Sequence, residues 1–152
     1  MFGFEKSCRE FRPLRLLPRP LYAAAKQKGT AHGYPDNRHR WRNGIAHVMA
    51  LAGYDVLLND VSAEALQKAV DTITGNLDRQ VGRGKVTEAD RDATLKRIVT
   101  TQTLAELGQS DLVIEAATER ETVKQAIFED LIPHLKPTTI LTSNTSSISI
   151  TR

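Results

Sequence analysis

Hydrophobic positions in the second part of the chain follow a helical period in some segments and form short apolar runs in others. Apolar residues between positions 45 and 52 recur at helix spacing, and Gly53 is placed to end that helix. The run at 55–60 predicts a buried strand that ends in polar residues. Ser62 can cap a second helix, whose apolar stripe extends to Leu77.

The same alternation continues to the end of the chain. It predicts a capped helix at 87–95, a short strand at 98–101, a helical turn at 104–107, a strand at 112–114, a helix at 122–135 and a strand at 139–142. We expect Pro137 to end the last of these helices, and residues 146–152 to open another. Alternating helices and strands predict an α/β fold with a doubly wound parallel sheet.

Residues 1–42 show neither period. They hold four of the six prolines, and Pro13, Pro18 and Pro20 exclude a helix there. Their charge is 10 − 3 = +7, whereas residues 43–152 carry 11 − 15 = −4. We therefore expect a basic segment at 1–42 that is disordered or a loose linker, and a domain at 43–152 whose sheet is incomplete at its first strand.

Composition excludes several classes of protein. The 152 residues are enough for one domain, with 40% hydrophobic and 26% charged residues. A single cysteine, Cys8, rules out an internal disulfide and a thiolate zinc cluster, and the four histidines lack metal-ligand spacing. The longest apolar run is too short to span a membrane. We expect a cytoplasmic protein without a metal site.

Polar residues follow three of the predicted strands. Asp60 closes a helix–strand unit, where a dinucleotide fold places the carboxylate that accepts ribose hydroxyls; it could also simply begin the turn before Ser62. Glu115 and Glu119 follow the strand at 112–114, although spacing alone favours a solvated first helical turn for them.

The segment Ser-Asn-Thr-Ser-Ser at 143–147 follows the last strand. Its side chains could bind a substrate hydroxyl or a cofactor amide, or act as turn and cap residues, with Ser147 capping a helix near Ile148. Arg-His-Arg-Trp-Arg at 38–42 alternates basic and aromatic residues, as single-strand nucleic-acid binders do. With one tryptophan and no companion motif, a nucleic-acid partner is not expected.

Four segments together resemble the N-terminal NAD-binding domain of 3-hydroxyacyl-CoA dehydrogenases, and the 3-hydroxybutyryl-CoA branch most. They are Asn-Gly-Ile-Ala-His-Val at 43–48, Gly-Tyr-Asp-Val-Leu-Leu-Asn-Asp at 53–60, Asp-Leu-Val-Ile-Glu-Ala-Ala-Thr-Glu at 111–119 and Ser-Asn-Thr-Ser-Ser-Ile-Ser-Ile-Thr at 143–151. The resemblance implies a Rossmann-like fold, NAD as cofactor, and an oxidoreductase of fatty acid metabolism. Such an enzyme transfers a hydride between NAD and C3 of its substrate, a 3-hydroxyacyl-CoA or acetoacetyl-CoA.

The resemblance also implies roles for individual residues. Asp60 would hold the adenosine ribose, and Glu119 and Lys124 would lie along the cofactor. Asn144 and Ser146 would lie beside the nicotinamide and the substrate C3 oxygen, with Ser146 orienting the substrate hydroxyl. The candidates for contacts with CoA are Asn76, Arg83 and Lys85.

The sequence departs from this family in two places. The family's first strand runs into Gly-x-Gly-x-x-Gly, whereas residues 37–42 read Asn-Arg-His-Arg-Trp-Arg, with Arg42 in place of the third glycine. Those glycines let the backbone approach the pyrophosphate. The family's catalytic histidine, with its glutamate partner, lies beyond the Ser-Asn-Thr-Ser-Ser motif. We therefore expect a truncated chain that is inactive by itself.

Three interpretations of residues 1–42 remain open. Codons for residues 33–41, read one base later, permit Asp-Ile-Gln-Thr-Ile-Gly-Ile-Val-Gly, so the segment up to about Arg42 could be an out-of-frame reading. The encoding DNA would decide this hypothesis. Alternatively, the chain is a non-catalytic nucleotide-binding or interaction protein, and residues 1–42 are its basic arm. A mitochondrial transit peptide is disfavoured by the prolines, Glu5 and Glu10.

Overall fold

The computed structural model describes residues 21–25 and 39–149, with side chains described from residue 43 onward. A five-stranded parallel sheet runs through this part of the chain in the order β3-β2-β1-β4-β5. The strands are β1 (Leu21–Ala25), β2 (Asp55–Asn59), β3 (Ile98–Thr101), β4 (Leu112–Glu115) and β5 (Ile140–Ser143). The strand order reverses at β1, so the predicted doubly wound, Rossmann-like α/β fold is confirmed.

Among the described residues, four helices and two 3₁₀ turns connect the strands. They are α1 (His39–Leu51), α2 (Ala63–Gly82), α3 (Glu88–Lys96) and α4 (Glu121–Leu131), with 3₁₀ turns at Leu104–Gln109 and Ile132–His134. The predicted caps are present, since Ser62 Oγ accepts from the Ala65 amide at 3.2 Å and Thr87 Oγ1 from the Asp90 amide at 3.1 Å. Gly53 has φ 98°, which suits the residue after a helix.

The sequence predicted a sheet that is incomplete at its first strand, and the structure has residues 21–25 in that position. Leu21–Ala25, within the segment expected to be disordered, forms the central strand β1 and pairs in parallel with both β2 and β4. Without it, the inward-facing backbone groups of those two strands would lack partners. Alanine has a low preference for strands, so the run Leu-Tyr-Ala-Ala-Ala did not predict a strand in a segment that also contains four prolines. The Pro-rich run at 12–20 lies outside the described residues.

Two helix boundaries and one expected helix also differ from the prediction. Helix α1 begins at His39, four residues before Asn43. Helix α4 ends at Leu131 because Pro133 has no amide proton to continue the helical ladder. The helix expected at 146–152 is not present in residues 146–149, and the last three residues lie outside the described part of the chain.

Hydrophobic clusters cover both faces of the sheet. Val56 and Leu58 face the cluster under α1 and α2, whereas Leu57 faces the cluster under α4. This alternation is the period of a strand buried on both sides. Because every strand is parallel and clamped between two apolar layers, the carboxyl ends of all strands meet at one edge of the sheet.

Candidate functional site

The edge of the sheet where the strands end carries the polar residues singled out in the sequence. Strand β2 runs into Asp60, β4 ends at Glu115, and β5 ends at Ser143. Glu115 and Ser143 are direct partners in the pairing of β4 with β5. Open α/β sheets bind ligands at this edge, close to the point where the strand order reverses.

Asp60 borders a cavity between β2 and α2. Its carboxylate is buried, and Oδ1 accepts from the Ser62 amide at 3.0 Å, next to the positive end of α2. The cavity has a volume of about 240 Å³, and its polar lining comprises Asn43, Asn59, Asp60, Ser62, Glu64, Lys68 and Thr72. A fixed acceptor in a polar cavity suits a ligand with hydroxyl groups.

Glu115 is the centre of a buried hydrogen-bond network. Its side chain has no solvent exposure. Oε2 accepts from Lys124 Nζ at 2.5 Å and from Ser143 Oγ at 2.6 Å, and Oε1 accepts from the Ala117 amide at 2.6 Å. Lys124 Nζ also donates to Ser143 Oγ at 3.2 Å. The buried charges are thus paired and hydrogen-bonded, as burial requires.

Lys124 serves this network in the structure. It lies on the buried face of α4 together with Ile127 and Leu131, and only 5% of the residue is exposed. Its ammonium group is directed at Glu115 rather than outward. The role of Lys124 along the cofactor therefore stays a prediction, while its role in neutralising Glu115 is visible.

Glu119 holds two hydroxyl groups from the segment after β5. Its Oε2 accepts from Thr145 Oγ1 at 2.7 Å and from Ser147 Oγ at 2.5 Å. Glu119 precedes α4, which begins at Glu121, so it is not part of a solvated first helical turn. Ser147 donates to this carboxylate, and the helix it was expected to cap is not observed up to residue 149.

Asn144 and Ser146 are exposed between these anchored residues. The Asn144 amide donates to the Glu115 carbonyl at 2.7 Å, which extends the pairing of β4 and β5 by one residue. The structure thus gathers Glu119, Lys124, Asn144 and Ser146 around the ends of β4 and β5. Asp60 follows β2, on the far side of the central strand.

Sequence reasoning missed the residues that build this half of the site. Glu115, Ser143, Thr145 and Ser147 fix the loops, whereas the sequence indicated a solvated helical turn for Glu115 and a helix cap for Ser147. One signal was available: Glu115 is a charged residue in an apolar strand, and Lys124 occupies the apolar stripe of the next helix. Two opposite charges at buried positions of consecutive elements predict a buried ion pair.

A groove of about 400 Å³ lies between α1 and α2, away from the strand ends. Its lining includes His47, Asn76, Arg79, Gln80 and Arg83. Two of the three CoA candidates, Asn76 and Arg83, therefore lie together, while Lys85 follows α2 and is not among the lining residues. Burial lowers the pKa of His47, whose Nε2 lies 3.3 Å from Gln80 Nε2.

The two histidines with described side chains lie elsewhere. His47 packs between α1 and α2, and the backbone of His134 abuts Gly108, before the start of β4. Within residues 43–149, no group of three or more His, Cys, Asp and Glu side chains is arranged to hold a metal ion. Likewise, no helix in the described segments is long and apolar enough to cross a membrane.

Comparison with known proteins agrees with this geometry. The family model for the NAD binding domain of 3-hydroxyacyl-CoA dehydrogenase matches residues 42–152. The chain is 56% identical over 110 residues to a 3-hydroxybutyryl-CoA dehydrogenase of Bradyrhizobium diazoefficiens, covering 72% of this chain and 38% of that protein. It is 51% identical over 108 residues to a 3-hydroxyadipyl-CoA dehydrogenase of Escherichia coli K12, covering 71% and 23%.

Solved structures give the same answer. The (S)-3-hydroxybutyryl-CoA dehydrogenase of Ralstonia eutropha superposes with a TM-score of 0.77 at 34% identity, over 88% of this chain and 44% of that one. The chain thus spans less than half the length of these relatives. The predicted resemblance, with NAD as the cofactor of the domain, is confirmed: the chain belongs to the 3-hydroxyacyl-CoA dehydrogenase family and corresponds to its NAD-binding domain.

Proposed function

We propose that this chain provides the NAD-binding half of an enzyme that transfers a hydride between NAD and C3 of a 3-hydroxyacyl-CoA. One observation carries the proposal: an acceptor carboxylate borders a cavity after β2, and an amide and a hydroxyl are exposed after β5. These groups lie on opposite sides of the central strand, as the two ends of a dinucleotide need. We also propose a cytoplasmic location, since a lone cysteine gives no disulfide of the kind favoured in oxidising compartments.

The residues present fit NAD at both ends. Asp60 would accept hydrogen bonds from the adenosine ribose hydroxyls, because its carboxylate borders the cavity and is already oriented by the Ser62 amide. Asn144 would bind the nicotinamide amide, and Ser146 would donate to the C3 oxygen of the substrate. NAD, when bound, accepts or supplies the hydride.

The protein's own contribution at the reacting end is orientation. Ser146 can fix the position of a substrate hydroxyl, but a serine hydroxyl alone is a poor acceptor for its proton. The side chains of His47 and His134 lie elsewhere in the fold. We therefore propose that the 152 residues by themselves bind the cofactor without turning over substrate.

The groove between α1 and α2 is the proposed contact for the CoA moiety. Arg79 and Arg83 give it positive charge, and guanidinium groups pair well with phosphates. Arg79 already hydrogen-bonds the side chain of Asn76, which holds both residues in the groove. A phosphate-bearing substrate such as acetoacetyl-CoA or a 3-hydroxyacyl-CoA is the partner that this charge favours.

Calorimetric titration with NADH tests the proposed function. Wild-type protein should show saturable binding, and Asp60→Asn should weaken it roughly tenfold, which is about 1.4 kcal/mol. Asp55→Asn is the matched control, since Asp55 lies at the amino end of β2, whereas Asp60 follows its carboxyl end. Failure of NADH to bind, or equal weakening by both substitutions, would contradict the assignment.

A further inference from the structure

Hydroxyl anchors recur at every second residue from the end of β5. Ser143 donates to Glu115, and Thr145 and Ser147 both donate to Glu119. The residues between them, Asn144 and Ser146, are exposed. The two residues that the proposed function needs therefore lie between the three hydroxyl anchors.

The two carboxylates belong to one short segment. Glu115 is the last residue of β4 and is fully buried, while Glu119 is exposed and lies four residues later, before α4. The segment after β5 is thus attached at two points to the segment after β4. Only the first attachment adjoins the sheet, where the Asn144 amide reaches the Glu115 carbonyl.

The second attachment controls a stretch without helix or strand. Residues 144–149 adopt neither, so backbone pairing does not fix their conformation. A loop of this kind keeps one conformation only if other contacts offset the entropy of ordering it. The hydrogen bonds from Thr145 and Ser147 to Glu119 are contacts of this type, and hydrogen bonds to a charged acceptor are the stronger class.

We propose that Glu119, Thr145 and Ser147 form a positioning device that holds Asn144 and Ser146 toward the nicotinamide and the substrate. This inference rests on the proposed function. It gives Glu119 a task that does not depend on touching the cofactor, because the carboxylate acts through the loop it anchors. Thr145 and Ser147 are positioning residues rather than catalytic ones.

Hydrogen exchange without ligand tests the device directly. Thr145→Val removes the hydroxyl at constant shape, and amide exchange at residues 144–148 should become roughly tenfold faster, as should happen for Ser147→Ala. Thr145→Ser keeps a hydroxyl and should restore slow exchange. Thr138→Val, an exposed threonine before β5, is the control. In a Glu119→Ala background, Thr145→Val should have no further effect, whereas an undiminished effect would overturn the device.

Ligand binding then separates positioning from folding. Thr145→Val should weaken NADH binding about fivefold and leave ADP-ribose, which lacks nicotinamide, within about twofold. Thr145→Ser should recover most of the NADH affinity. Equal weakening of both ligands, or no weakening of NADH, would overturn the inference. If wild-type protein binds neither ligand, the proposed function fails, while the exchange experiment still decides whether the hydroxyls hold the loop.

Discussion

The two halves of the strand-end edge are built in different ways. At β4 and β5, three hydroxyls and an ammonium group donate hydrogen bonds to Glu115 and Glu119. At α1, the helix begins with His39 and has no acidic residue in its first turn, and residues 37–42, where the family resemblance places the glycine-rich turn, contain no glycine. The first half is held by hydrogen-bonded side chains. The second half lacks the glycines that the family resemblance implies.

The two halves should respond differently to substitution. Removing one member of a buried hydrogen-bond network lowers the stability of the fold, because it leaves other buried polar groups unpaired. The phosphate-binding turn contributes little to packing, since its glycines serve close approach to a ligand. A chain can therefore keep its sheet while losing that turn.

The largest expected effect concerns catalysis. We predict no measurable NADH-linked reduction of acetoacetyl-CoA by the 152-residue chain, because a positioned general acid or base typically contributes about 10²–10⁴-fold and Ser146 alone cannot replace it. Absorbance of NADH at saturating substrate measures this. Turnover at a rate typical of dehydrogenases that survives Ser146→Ala would refute both the assignment of Ser146 and the prediction that this chain supplies no general base.

The buried ion pair should dominate the stability of the intact half. Glu115→Ala leaves Lys124 charged and unpaired in the interior, and we expect a loss of about 3–5 kcal/mol in the free energy of unfolding. Urea denaturation gives the value. Replacing both partners, with Glu115→Gln and Lys124→Met, should cost less than Glu115→Ala alone. A double variant that is less stable than the single one would show that the pair itself stabilises the fold.

The cap of α2 couples stability to the Asp60 end of the site. Ser62→Ala and Thr87→Ala each remove one helix cap and should each cost about 0.5–2 kcal/mol by urea denaturation. Only Ser62→Ala should also weaken NADH binding. The substitution keeps the backbone amide that donates to Asp60, but it removes the cap that fixes the start of α2, where that amide lies. Equal NADH affinity in the two variants would argue against the cavity beside Asp60 as the ribose site.

The smallest effect is a pH dependence from His47. Burial lowers its pKa in the folded protein below the ordinary value of 6.5, so the unfolded chain binds the proton first as pH falls. Stability contributed by neutral His47 is therefore present above pH 6.5 and lost below it. Unfolding free energies at pH 7.5 and 5.5 should differ less in His47→Asn than in wild type. His134→Asn, at an exposed histidine, should leave the wild-type difference unchanged.

An element of the fold could be predicted when its own sequence specifies it, and not when neighbouring strands do. Strand β2 and helix α2 were predictable because apolar spacing, Ser62 and Gly53 agree with one another. Strand β1 was not, since its place is set by the unpaired edges of β2 and β4 rather than by its own alanine-rich sequence. Tertiary pairing overrides weak local preference there.

The site follows the same division. Asp60, Asn144 and Ser146 were predictable because each follows an apolar strand. The anchoring by Thr145 and Ser147 was not, because a hydroxyl residue in a loop has many possible partners and sequence does not say which one it meets. The hypothesis that the segment up to Arg42 is an out-of-frame reading concerns the gene rather than the fold. Sequencing the encoding DNA tests it.

Restoring the glycine turn tests the contrast between the two halves most directly. Glycine replaces Asn37, His39 and Arg42, which gives Gly-x-Gly-x-x-Gly at 37–42. The control carries alanine at the same three positions, so that both variants lose the same side chains. Calorimetric titration should show NADH binding tightened about tenfold or more by the glycine variant, with the alanine variant no tighter than wild type. Equal affinity for NADH in all three proteins would contradict the claim that the phosphate half of the site is the damaged one.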